Sequence, residues 1–97
     1  MRVVLDPAAV AELREAAVFY EDCREGLGQE FLSSVEAAFD AIVRRPDLWR
    51  RLKGRFRRCL VHRFPYGVVY AVEDDVVYVA AVMHLKRKPD YWESRDR

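Results

Sequence analysis

Cysteine is scarce in this chain: Cys23 and Cys59 are two residues in 97, with neither a CxxC pair nor the dense spacing of a disulfide-stapled fold. The pattern predicts two reduced thiols, one on a helix and one on a strand. Histidine is equally rare. His62 and His84 fall on different predicted strands, with no cysteine or carboxylate at ligand spacing beside either, so no metal site is expected. The four glycines build no phosphate-cradling loop, because "GLG" at 26–28 follows a helix where such a loop follows a strand. No serine stands on a glycine elbow; Ser33 and Ser34 belong to a predicted helix and Ser94 to the tail. The longest uncharged run, 76–85, is about half of the ~20 residues a membrane-spanning helix needs, and the mixed, charged opening does not read as an export signal. The expectation is a cytoplasmic chain with no cofactor, no metal and no membrane partner.

What the chain does have is 52% apolar residues in a length that builds one modest core and not two, so a single domain over 1–97 is expected. Its charge is unevenly placed. Residues 1–43 carry three cations and nine acids, whereas residues 44–63 carry nine cations against Asp47 alone, and the remainder holds five cations and six acids. A net +8 packed into Arg44–Arg63 raises the local potential far above what the overall +1 suggests, and it favours a polyanion or an acidic partner over an uncharged one.

The local signals give an element order. "RVVL" at 2–5 reads as a short strand. Asp6 followed by Pro7 is an N-cap with proline at the first helical position, so a helix starts there. Val10, Leu13, Ala17 and Tyr20 recur at three and four along it, and Gly26 stops it. A second helix carries Phe31, Val35, Ala38, Phe39 and Ile42 on one face and ends at Pro46. Then "RRCLVHRF", "YGVVYAV" and "VVYVAAVMH", rich in valine and aromatics and separated by "FPYG" and "EDD", read as a three-stranded antiparallel meander. The fold class is α+β, in the order β-α-α-β-β-β, with the helical hairpin packed on one face of a mostly antiparallel, strongly twisted sheet.

Strand parity then assigns the faces. Odd positions give Cys59, Val61, Val69, Ala71, Val77, Val79, Ala81 and Met83, and these are expected under the helices. Even positions give Arg58, Leu60, His62, Tyr66, Val68, Tyr70, Val72, Tyr78, Val82 and His84, a face too apolar to stand bare and too polar to be core. The last strand exits through "HLKRKPDYW". His84, Lys86, Arg87, Lys88, Tyr91 and Trp92, with Arg58 and His62 nearby, hold the side-chain types that RNA cleavage by 2′-OH attack needs: a base, phosphate-holding cations, an acid and a stacking ring. The same types at strand ends also serve as solubilising cations and amphipathic lids.

"ELREAAVFYED", "GLGQEFLSSVE" and above all "RFPYGVVY" followed by an apolar strand ending in "H" and "RKPDYW" resemble the RelE/ParE superfamily of type II toxins, over nearly the whole chain. The resemblance implies a toxin neutralised by a cognate antitoxin, with which it forms a higher-order hetero-oligomer, and two alternative targets. RelE-like members cut ribosome-bound mRNA, for which Arg58, His84, Arg87 and Tyr91 are the catalytic candidates here. Leu60 stands where a lysine would be wanted, Gly67 at the corner arginine and Leu85 at the arginine after the last strand, with Arg87 two places late. ParE-like members block DNA gyrase and need no catalytic set, and the thinned charge array favours that branch slightly. An antitoxin segment is expected to cover Arg58, Leu60, His62, Tyr66, Tyr70, Tyr78 and Trp92, drawn in by the basic stretch. Whether the chain is an enzyme stays open; alternative readings are a degenerate toxin serving as a corepressor with its antitoxin, and a plain nucleic-acid binder.

Overall fold

The structure, a computed structural model, describes residues 1–96. Strand β1 (Arg2–Leu5) leads into α1 (Pro7–Cys23), where the Asp6 carboxylate accepts from the Ala8 N–H at 2.9 Å. The cap and the proline are thus used as the sequence predicts. Helix α2 (Leu27–Arg44) follows through Gly26, whose φ of +86° suits a residue without Cβ. Glu21, near the end of α1, caps the start of α2 by accepting from the N–H groups of Gly26 (2.9 Å) and Gly28 (3.0 Å). These are amides that no intrahelical carbonyl could reach. The two helices meet closely there, because Gly28 leaves no room for a side chain: an added Cβ would lie 2.6 Å from the Ala17 carbonyl oxygen.

The rest of the chain is sheet: β2 (Arg50–Arg51), β3 (Arg57–Leu60), β4 (Tyr66–Glu73) and β5 (Val76–His84), then a single 3₁₀ turn at Glu93–Arg95. The order across the sheet is β1-β5-β4-β3-β2, with β1 parallel to β5 and every other pair antiparallel. The two-residue edge strand β2 went unread in the sequence, since two arginines carry no periodicity. Helix α2 buries Phe31, Val35, Ala38 and Ile42 on the sheet, the larger side chains contributing about 1.5–3 kcal/mol each. An aromatic cluster closes one end, with Tyr20 and Phe64 rings 4.9 Å apart and Phe31 and Tyr66 5.0 Å apart.

The parity expectation is corrected on two strands. On β3, Cys59 faces the helices, but its partner on that face is Val68, and Arg57 pairs with Tyr70. An odd residue therefore shares a face with an even one, and β4 lies opposite to expectation: Val68 and Tyr70 under the helices, Val69 and Ala71 on the far side. The cause is the corner, where Arg63 takes a φ of +74° and the Val61 N–H donates to the Tyr66 carbonyl. On β5, Val77 and Val79 face the helices as expected. A bulge then intervenes, since Val69 pairs with Ala81 but Tyr70 with Val79. The extra residue turns Val82 inward and sends Ala81 and Met83 to the far face.

Nor is that far face bare. The C-terminal segment folds across it: Trp92 is buried against Phe56 with ring centroids 4.9 Å apart, and its indole N–H donates to the Pro89 carbonyl at 2.8 Å. Lys53–Glu93 and Arg55–Asp96 ion pairs fasten the segment at its rim. The expectation of a half-apolar face left for a partner is thereby overturned over the centre of the sheet, which the chain covers with its own tail.

Candidate functional site

Strand β5 extends beyond β1. Their pairing ends at Val79, whose carbonyl receives the Asp6 N–H at 2.9 Å, and the chain then leaves into α1. The β5 edge from Ala80 onward would present raw backbone groups. Side chains satisfy them: Glu12 of α1 accepts from the Val82 N–H at 3.0 Å, and the Arg95 guanidinium donates to the Ala80 carbonyl at 3.0 Å. Glu12 and Arg95 also meet each other through two bonds, Nη1–Oε1 at 2.9 Å and Nη2–Oε2 at 3.1 Å.

Two of the four catalytic candidates are drawn into this knot. The Tyr91 hydroxyl donates to Glu12 Oε2 at 2.7 Å, and burial together with that bond raises its pKa well above the ordinary tyrosine value. It is a firmly protonated donor and not a base. Arg87 lies 3.8 Å over the Tyr91 ring and 3.6 Å from Glu12 Oε2, so its guanidinium shares with Arg95 the one carboxylate of the knot. His84 stands edge-on to Tyr66 at 5.0 Å, with Nδ1 accepting the Lys86 N–H, and shares a recess of about 230 Å³ with Arg87, Glu12 and Glu15. Arg58 is elsewhere. Its side chain crosses the far face of the sheet above Gly67, where a Cβ would come within 2.8 Å of Arg58 Cδ, and it lines a different recess. Three candidates are therefore gathered and the fourth is not.

The seven residues expected at the partner surface scatter likewise. Tyr70 is fully buried under the helices, its hydroxyl donating to the Pro46 carbonyl at 2.6 Å and its pKa pushed up to about 12 by burial. Trp92 is inside the far-face cluster. Tyr66 belongs to the aromatic end of the helix face, while Tyr78 lies on the far face with its hydroxyl bonded to the Asp6 carboxylate and the Arg95 carbonyl. His62 sits in a recess against α2, and Leu60, 56% exposed, is the one large apolar side chain of the set that is open to contact. Sequence reasoning missed Glu12 and Arg95, whose pairing spans 83 positions. A carboxylate on a charged helix face gives no sign of capping a strand.

The basic stretch is partly neutralised in place. Lys53, Arg55, Arg63 and Arg45 have carboxylate partners, but among the described residues Arg50, Arg51 and Arg58 have none within ion-pair distance. Neither a metal-holding group of histidine, cysteine and carboxylates nor a helix long and apolar enough to cross a membrane occurs among the described residues.

Among solved structures, the chain is similar to one described as the chromosomal ParDE TA system from P. aeruginosa, with a TM-score of 0.63 and 12% identity over 89% of this chain and 97% of that one. At that identity the likeness speaks for the fold alone. No curated protein matches the chain. The family model described as the ParE toxin of the type II toxin-antitoxin system parDE matches residues 3–89, from β1 through the exit of β5. Since that match takes in both helices and the whole sheet, the chain belongs to the ParE family of type II toxin-antitoxin toxins.

Proposed function

We propose that this single-domain chain is a cytoplasmic, growth-inhibiting toxin that acts on DNA gyrase without cutting RNA, and that a cognate antitoxin neutralises it. The observation that carries the choice of target is the engagement of Glu12. A ribonuclease of this kind needs unmatched cations around the scissile phosphate and a group able to take or give a proton. Here the single Glu12 carboxylate is bound by Arg95 at 2.9 Å, approached by Arg87 at 3.6 Å, and holds the Tyr91 hydroxyl as a donor, so the groups gathered there are engaged with one another. Of the two remaining candidates, His84 has its Nδ1 taken up by the Lys86 N–H and Tyr66 edge-on beside it, and Arg58 lines a separate recess with neither an imidazole nor a hydroxyl. Positions that the sequence would need as further cations are Leu60, Gly67 and Leu85. Inhibition by binding makes no such demand.

The antitoxin reading is supported by family membership and by the positive potential of the 44–63 stretch. Leu60, with Val18 and Phe19 of α1 at 61% and 60% exposure, offers the apolar contacts that a wrapping segment would cover. Purified chain added to gyrase and relaxed plasmid is expected to block supercoiling and to accumulate cleaved DNA. The reading falls if supercoiling proceeds unhindered while transcripts are cut on ribosomes and the cutting is lost in Tyr91→Phe.

A further inference from the structure

We propose that the recess around Arg58 is a built oxyanion site that takes a backbone phosphate of DNA, as an anchor and not as a point of hydrolysis. Three observations converge on it. Arg58 is threaded over Gly67, whose missing Cβ is what lets the aliphatic stem lie flat on the sheet. Its Nε–H, buried by that path, meets no acceptor among the described residues, a costly state for a charged donor. And Arg58 lines a recess of about 260 Å³ together with Arg50, Arg51 and Lys53 and the buried Met83 and Trp92. Asp90 and Glu93 stand at the same recess, but Glu93 and Lys53 neutralise each other at 2.8 Å, which leaves three arginines against Asp90.

The shape of the cation set selects phosphate. A carboxylate offers two oxygens in one plane and is satisfied by one guanidinium fork. A phosphodiester offers tetrahedral oxygens that guanidiniums arriving from different directions can share. Here Arg50, opposite Arg58 on the edge strand β2, shares the face that Arg58 crosses from β3, while Arg51 lines the margin of the recess with its guanidinium donating to the Gly54 carbonyl at 3.3 Å, and none of the three has a carboxylate partner among the described residues. With no hydroxyl or imidazole at the recess, and no 2′-OH on DNA, a bound phosphodiester would be held uncut. The proposal deepens the gyrase reading, on which it rests for the choice of DNA over RNA, by giving the toxin its own contact with the DNA.

The test contains no gyrase, so its failure and that of the target reading are separable. In the ¹⁵N-labelled full chain, the Arg58 Nε–H resonance is identified by its loss in Arg58→Lys and followed while inorganic phosphate is added at constant ionic strength. It is expected to shift and saturate in the millimolar range, while chloride leaves it in place. Duplex DNA binding, read by fluorescence anisotropy, should weaken about tenfold in Arg50→Gln/Arg51→Gln, with the slope of log affinity against log salt falling by about 2. These two side chains are exposed on an edge strand, so this variant keeps the test open if Arg58→Lys does not fold. Lys86→Gln, outside the recess, should change binding by less than threefold. The proposal is overturned if phosphate leaves the Arg58 resonance unmoved, if the double variant binds DNA as tightly as the parent, or if a glutamate-rich peptide moves the resonance when phosphate and DNA do not.

Discussion

At the scale of single residues, Glu12 does more than any other side chain here, since one carboxylate ends the β5 edge, binds Arg95, contacts Arg87 and orients a tyrosine. Glu12→Gln keeps the size and one acceptor but leaves Arg95, itself largely buried, without a counter-charge. We expect a loss of about 2–4 kcal/mol in urea unfolding, and a loss under about 0.5 kcal/mol would show that the knot is held by packing alone. Tyr70 gives a pH dependence with a definite sign. Burial raises its pKa from the ordinary 10.0 to about 12, so the folded state favours the neutral phenol. Its contribution is complete below pH 10 and is lost as the pH climbs through about 12. Tyr70→Phe should flatten the fall in stability over that alkaline window while costing about 1 kcal/mol at neutral pH for the lost bond to Pro46; an unchanged alkaline slope would remove Tyr70 from the account.

Among the elements, the helical hairpin was the most legible in the sequence. Asp6–Pro7 at the start, Gly26 at the turn and Pro46 beyond the end are local signals, and a helix obeys local rules. What was not legible is how tightly the two helices meet. Alanine is the better helix former by intrinsic preference, yet Gly28→Ala drives a methyl against the Ala17 carbonyl, and we expect a cost of about 1–3 kcal/mol. Thermal melting of the variant measures this, and a raised midpoint would mean that the helices separate freely. The strands were legible in number and order, but their faces were not. Periodicity of two holds within a strand, and the corner at Arg63 and the bulge after Val79 each reset it. Tyr70 and Val69 therefore exchanged places between expectation and structure, as did Val82 and Ala81.

Over the whole molecule, the sheet has a core on each side: helices over Val68, Tyr70 and Val79, and the chain's own last residues over Val69, Met83 and Phe56. Trp92 is the keystone of the second, so Trp92→Ala should lower stability by about 3–5 kcal/mol in denaturant unfolding and should expose Met83 to dye binding. If the variant were as stable as the parent, the tail would be resting on the sheet without supporting it. The sequence by itself determined the element order, the caps, the apolar stripes and the concentration of positive charge, because each is written in residues close together along the chain. Tertiary structure alone decided which face of each strand is inside, that Glu12 meets Tyr91 and Arg95 across some eighty positions, and that Arg50, Arg51 and Arg58 line one recess. These depend on register, on the hand of a corner and on where a tail folds back. Such choices are settled by packing among distant segments, and no local pattern records them.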